Sequence, residues 1–262
     1  MTLSFFKLFP TIEYDIFRNG IKSDFVDIYR FASPVMEMLD NEMSYKYYEI
    51  LNGERPDIVS MNLYGTPSFY WTFFLVNEYL HDGLGVWPMS QENLASYMDQ
   101  QYNGYAITTN PKTYVTGDEW VTRDSIAGKF ELGETIHGAN SNAFGTLTKK
   151  NIDLNQLIVQ DCTNEFENLE TISGEKTTHS VQAYRIYPYI DAPYYYYQTA
   201  DEERRQVFNG GFIRGGTPDN EISFMTNRHN LFRMNETRSK IRVIDPAYIN
   251  KFVENYEQVI NE

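Results

Sequence analysis

The sequence predicts an α+β protein: a small strand-helix-helix-strand core with an extended N-terminal arm, an inserted antiparallel β domain and a C-terminal hairpin plus helix. Three observations predict it. Cap and turn signals bound two helices after a short aromatic strand near residue 45, short alternating apolar runs with an internal repeat fill residues 105–180, and an amphipathic stripe closes the chain. The implied division is an arm over 1–43, a core over 44–104, a β domain over 105–180 and a C-terminal aromatic loop, hairpin and helix over 181–262.

The arm carries Phe5, Phe6, Phe9, Tyr14 and Phe17 among polar, Pro and Gly residues, with no helical or alternating period. Apolar side chains on a segment too irregular to build its own core seek a surface elsewhere, which makes these residues candidate partner contacts.

The core begins with Tyr45-Lys46-Tyr47-Tyr48-Glu49-Ile50, a run of strand composition ended by the turn signal Asn52-Gly53. Pro56 suits a first helical position, and Gly65 sits where a helix stops in a left-handed cap. Thr66-Pro67 then reads as an N-cap followed by a first-turn proline. The helix that follows, Ser68 to Asn77, is apolar around nearly its whole circumference and must be covered on more than one side, by this chain or by a partner. A return segment, Val86-Trp87-Pro88-Met89, leads to Ser90, an N-cap for a helix running to about Tyr102.

In the β segment, Lys129 to Gly138 matches Glu165 to Gly174 at six of ten positions, with the two phenylalanines 36 residues apart. Phe144 to Leu147 and Leu157 to Val159 read as two strands between them. Two copies are too few for a solenoid, so a small barrel or sandwich is the expectation. After Val181 a Pro-rich aromatic stretch reads as a long surface loop, and its Tyr194, Tyr195 and Tyr196 are further candidate partner contacts. Leu231 to Met234 and Lys240 to Ile244 flank a polar turn and suggest a hairpin. The last helix is expected with Asp245 as N-cap, Pro246 as first residue, and a stripe of Ile249, Phe252, Val253 and Tyr256.

Composition narrows the function. Lys and Arg number 22 against 36 Asp and Glu, a formal charge of −14 with no basic stripe, which argues against nucleic acid as a partner. Cys162 is the single cysteine, so neither an internal disulfide nor a multi-cysteine metal site is available. No apolar run approaches membrane-spanning length and the first residues lack a secretory pattern, so synthesis and retention in a cytoplasm are expected. Tyr, Phe and Trp make up 16% of the residues, an excess suited to interfaces.

Enzyme signatures are missing: the sequence holds no phosphate loop, dinucleotide fingerprint, nucleophile elbow or HExxH pattern. His81, His137, His179 and His229 are scattered over separate segments, and His81-Asp82 has no companion ligand at metal-binding spacing. Acidic pairs such as Asp118-Glu119 and Glu202-Glu203 read as solvated surface. No catalytic residue, cofactor site or metal site is expected.

The ordered set Gly53-Glu54-Arg55-Pro56-Asp57, Tyr64-Gly65-Thr66-Pro67, Tyr70-Trp71, Asn77 and Trp87-Pro88-Met89-Ser90 resembles baseplate wedge protein 53 of T4-like contractile-tailed phages. The likeness extends upstream to Asp27-Ile28-Tyr29-Arg30 and resumes near Ala192-Pro193-Tyr194 and over Arg238 to Pro246, with the repeat-bearing segment departing as an insertion. The resemblance implies a core similar to a lysin-motif (LysM) domain, and a structural role clamping neighbouring wedge subunits in the baseplate of the virion's tail. It also implies partners that are counterparts of T4 wedge proteins 6, 7 and 25, and six copies per virion. On this reading Arg55, Pro56, Asp57, Tyr64, Gly65, Pro67, Tyr70, Trp71, Asn77, Trp87 and Pro88 act through packing. The competing expectation is a LysM-type module binding peptidoglycan or other carbohydrate, which needs an open groove and would be disfavoured by burial of Tyr64, Tyr70 and Trp71.

Overall fold

A computed structural model describes residues 8–28, 44–110, 112–116, 119–206, 208–209, 212–213 and 222–261. Phe5 and Phe6 lie outside the described residues, as do Tyr29 and Arg30. In chain order the elements are β1 (Thr11–Tyr14), β2 (Ser23–Val26), β3 (Tyr45–Glu49), α1 (Pro56–Tyr64), α2 (Trp71–Val76) and α3 (Gln91–Gln101). There follow β4 (Tyr105–Thr109), β5 (Lys112–Thr116), β6 (Glu119–Arg123), β7 (Thr135–Gly138), β8 (Phe144–Asn151), β9 (Gln156–Gln160), β10 (Thr171–Gly174) and β11 (Ser180–Pro188). The chain ends with β12 (Pro193–Gln198), β13 (Asp201–Gln206), β14 (Phe208–Asn209), β15 (Phe212–Ile213), β16 (Ile222–Thr226), α4 (Asn227–Ser239), β17 (Lys240–Ile244) and α5 (Ile249–Asn261). The mixed α+β class agrees with the sequence. Two compact units result, residues 1–93 with 234–262 and residues 94–233.

In the first unit, β3 pairs antiparallel with β17, Tyr48 opposite Ile241 and Lys46 opposite Val243. The order strand, helix, helix, strand is therefore completed by a strand from the far end of the chain. Val86 to Met89, the expected return segment, contains the end of a 3-10 turn over Gly83–Val86 and no strand. Gly65 closes α1 at φ 71° with its N–H on the Met61 carbonyl, a conformation that costs glycine little. Thr66 caps as expected, its Oγ1 accepting the Ser68 N–H at 3.3 Å, but the first turn is a short 3-10 helix over Pro67–Phe69 and α2 starts at Trp71.

Helix α2 is covered on two sides by its own chain. Phe73 packs with Ile50, Val59, Leu80, Trp87, Ile241 and Val243, while Trp71 and Val76 pack with Phe9, Ile244, Ile249, Phe252, Tyr256 and Ile260. Full burial of a side chain such as Phe73 contributes about 1.5–3 kcal/mol. The closing helix presents the expected stripe but begins at Ile249, and Pro246 precedes it in a turn: Asp245 Oδ1 accepts the Ala247 N–H at 2.8 Å, and its carbonyl accepts the Tyr248 N–H.

The second unit is built on a closed barrel in the order β10-β11-β4-β9-β8-β7. This order is unchanged when β4, β7 and β8 are exchanged with β9, β10 and β11, so the internal repeat is a two-fold pseudosymmetry, and the hairpin β5–β6 is the piece that only the first copy has. Equivalent residues occupy equivalent places: Ile136 and Ile172, and Phe130 and Phe166, all lie in one core. Glu134 accepts the N–H groups of Glu131 at 2.6 Å and Thr177 at 3.1 Å. Glu170 accepts those of Glu167 at 2.7 Å and of Asn140 and Ser141 at 3.0 Å. Each carboxylate thus caps its own turn and the turn after the other copy's strand.

Two expectations for the C-terminal third are corrected. The aromatic stretch after residue 181 is largely strand, because β11 completes the barrel and Tyr195 to Gln198 pair with Ile222 to Met225 of β16. Leu231 to Met234 is helical: the Thr226 hydroxyl accepts the His229 N–H at 3.1 Å at the start of α4, and Lys240 to Ile244 pairs with β3 instead of folding back as a hairpin.

Candidate partner-docking surfaces

The residues of the ordered motif set build the first unit's frame. Pro56 is the buried first residue of α1, and the exposed Arg55 beside it forks onto Asp57 through Nε at 3.1 Å and Nη2 at 3.0 Å. Trp87 is buried against Phe73 and Phe74, and its indole N–H donates to the Glu54 carbonyl at 2.8 Å; Pro88 is buried next to it. The Glu54 carboxylate in turn accepts the Tyr48 hydroxyl at 3.0 Å and the Leu51 N–H at 3.1 Å. Trp71 is 5% exposed with its ring 5.2 Å from that of Tyr256, and Tyr70 is half-buried edge-on to Phe74.

Asn77, 1% exposed, meets Arg242 as a neighbouring strand would: its Nδ2 donates to the Arg242 carbonyl at 2.9 Å and its Oδ1 accepts the Arg242 N–H at 2.8 Å. Two tyrosines complete the same edge of β17. Tyr64 donates to the Ile244 carbonyl at 2.9 Å and Tyr79 donates to the Lys240 carbonyl. Burial drives the Tyr64 phenol well above its ordinary range, keeping it a donor. Side chains thus occupy the outer edge of β17, and no strand can add there. Asn235 does the same for Met89, accepting its N–H at 2.7 Å and donating to its carbonyl at 3.0 Å. Tyr79 and Asn235 were not singled out from the sequence, and Glu54 entered only as a member of the ordered motif set.

The other edge of the sheet is β3. Its Tyr47 and Glu49 have no backbone hydrogen-bond partner among the described residues, and Tyr47 is 77% exposed.

The hairpin β1–β2 is the second open element. None of its eight strand residues is buried, and Ile12, Tyr14, Ile16, Phe17, Ile21, Phe25 and Val26 are all exposed, Phe17 at 81%. Two strands alone are marginal in water, and so many apolar side chains on one uncovered element mark an interaction site. The root of this arm is fixed: Phe9 is buried with Trp71 and Tyr256, and Asn261 Nδ2 donates to the Leu8 carbonyl at 3.1 Å. Of the sequence-selected contacts, then, Tyr14 and Phe17 are exposed on the arm while Phe9 is an anchor. In the second unit Tyr194 is exposed on β12, Tyr195 is buried and Tyr196 is half-buried edge-on to Phe224.

Residues 4–119 match the family model described as base plate wedge protein 53. That stretch, less than half of the chain, is what is similar to the base plate wedge protein 53 family. The match takes in the arm, β3, α1, α2 and every residue of the ordered motif set; residues 120–262 lie outside it. No curated protein matches the chain. Among the described residues no group of His, Cys, Asp and Glu could hold a metal ion, and no helix is long and apolar enough to cross a membrane.

Proposed function

We propose that this chain is a wedge protein acting as a clamp, in which a rigid frame carries an apolar hairpin that packs onto neighbouring wedge subunits during baseplate assembly. The observation that carries the reading is the hairpin β1–β2, anchored at Phe9 and uncovered beyond it. The motif residues Arg55, Pro56, Asp57, Tyr64, Gly65, Pro67, Tyr70, Trp71, Asn77, Trp87 and Pro88 support it indirectly, by fixing the frame from which the arm extends. On this reading the core is LysM-like with the β domain inserted before its second strand, the partners are counterparts of wedge proteins 6, 7 and 25, and six copies serve one baseplate. The exposed Tyr194 offers a second contact.

The placement of the aromatic rings counts against carbohydrate binding by the core. Trp71 is buried on Tyr256, while Tyr64 and Tyr70 are half-buried, the Tyr64 ring stacked on Phe73 and edge-on to Phe69, which leaves little ring face for stacking on sugar. Deleting residues 11–28 and measuring the mass of complexes formed with the other wedge subunits tests the clamp. The truncated chain should remain folded and lose binding; full-size complexes would remove the arm from the interface.

A further inference from the structure

The first unit has two open strand edges that fit each other. In the hairpin, Ile12 and Phe25 are a bonded pair in register and the Asp27 N–H reaches the Pro10 carbonyl, so the backbone groups of Thr11 and Glu13 point away from β2. Those backbone groups have no hydrogen-bond partner among the described residues, although the Glu13 carboxylate accepts from Lys22 Nζ at 3.3 Å. In the sheet, the N–H groups of Ile50 and Asp245 bond across to Ser239 and Ser44, which places the backbone groups of Tyr47 and Glu49 on the outer side of β3. The opposite edge of that sheet is closed by Tyr64, Asn77 and Tyr79. One edge is guarded and the other is left to receive a strand.

We propose that the β1 edge of one copy of this chain adds to the β3 edge of a second copy, joining copies head to tail by strand addition. This rests on the reading of the hairpin as a docking element and names the neighbour it reaches. The side chains choose the occupant and the direction. Between residues 11 and 28 the hairpin carries four acidic and two basic residues, while the receiving sheet carries Lys46, Lys240 and Arg242 against Glu49, with Lys46 and Lys240 also meeting Asp245 and Glu236. Aligned antiparallel so that the open backbone groups meet, Glu13 faces Tyr47, Thr11 faces Glu49, Ile12 faces Tyr48 and Tyr14 faces Lys46. No like charges are opposed, and Ile12 with Tyr48 forms an apolar-aromatic pair. The parallel alignment of the same groups sets Glu13 against Glu49, which opposes it. A head-to-tail contact uses two different surfaces, so it extends beyond a dimer and closes into a ring if the rotation allows.

The test is sedimentation of the full-length chain over a dilution series, together with Glu13→Pro, which removes one outward N–H from an element with no buried side chain, and Tyr47→Pro at the receiving edge. The wild-type mass should rise above the monomer's 30.7 kDa with concentration and pass the dimer. Each variant alone should stay monomeric. Their equimolar mixture should stop at the dimer, because one intact hairpin edge and one intact β3 edge remain. If Tyr47→Pro lowers the thermal midpoint, Glu13→Pro added to wild type still decides the matter by stopping growth. A wild type that is monomeric throughout, or association that Glu13→Pro leaves unchanged, overturns the proposal. If such a monomer still binds other wedge subunits through residues 11–28, the clamp stands and only the identity of the neighbour is wrong.

Discussion

The carboxylate of Glu134 lies so close to Gly174 that a Cβ on that glycine would sit 2.5 Å from Glu134 Oε2; the symmetry-related Gly138 stands 2.6 Å from Glu170 in the same way. The glycines of the repeat are therefore spaces for buried carboxylate caps. Gly174→Ala should push Glu134 off the Glu131 and Thr177 N–H groups and destabilise the barrel by about 1–3 kcal/mol, the cost of leaving such groups unpaired. Denaturant unfolding of the variant measures this.

The same caps set an acid limit on the barrel. Burial pushes the Glu134 and Glu170 carboxyls up, but hydrogen bonds from Thr177 and Glu131, and from Ser141, Glu167 and Asn140, outweigh it and hold both below the ordinary carboxylate range. A carboxyl lowered in the folded state stabilises fully above its unfolded value of about 4.3, and that contribution is lost as pH falls through the folded value. Thermal midpoints should therefore fall in acid below about pH 4.3, and less steeply in the Glu134→Gln/Glu170→Gln double variant. Equal slopes would contradict the assignment.

Leu169 holds φ at 67°, where the first repeat has Gly133 at 85°. Its side chain is 61% exposed, so little packing offsets the strain. Leu169→Gly should raise stability by roughly 0.5–1 kcal/mol, read as a shift in thermal midpoint.

Two variants probe the frame. Trp71→Ala should cost about 3–5 kcal/mol if the site between α2 and α5 cannot collapse. Asn77→Ala leaves the Arg242 N–H and carbonyl unpaired at a sheet edge and should cost about 1–3 kcal/mol. The second change also frees an edge, so concentration-dependent light scattering should rise in Asn77→Ala and not in Trp71→Ala at matched stability.

Local signals carried the elements whose causes are local. Pro56 and Gly65 bound α1 where cap chemistry places them, and a two-copy match at Phe130 and Phe166 announced a small β body. Sequence reasoning failed where the cause is distant or polar. Nothing near Arg242 marks Tyr47, nearly two hundred residues away, as the residue opposite it across the sheet. Helix α4 buries Asn227 and Asn230 while exposing Phe232 and Met234, so it has no apolar stripe and its Leu-Phe-Arg-Met run mimics a strand. For the docking surfaces, the aromatic richness of the arm was legible, but whether a given ring anchors or projects was not: Phe9 and Phe17 look alike in sequence and have opposite fates.

The most direct measurement is amide hydrogen exchange of residues 11–28 in the free protein and in assembled baseplate wedges. The clamp requires fast exchange across the hairpin in isolation and strong protection after assembly, with little change at β17, whose edge is already closed. Equal exchange in the two states would mean that the hairpin covers nothing in the baseplate, and the account would fail.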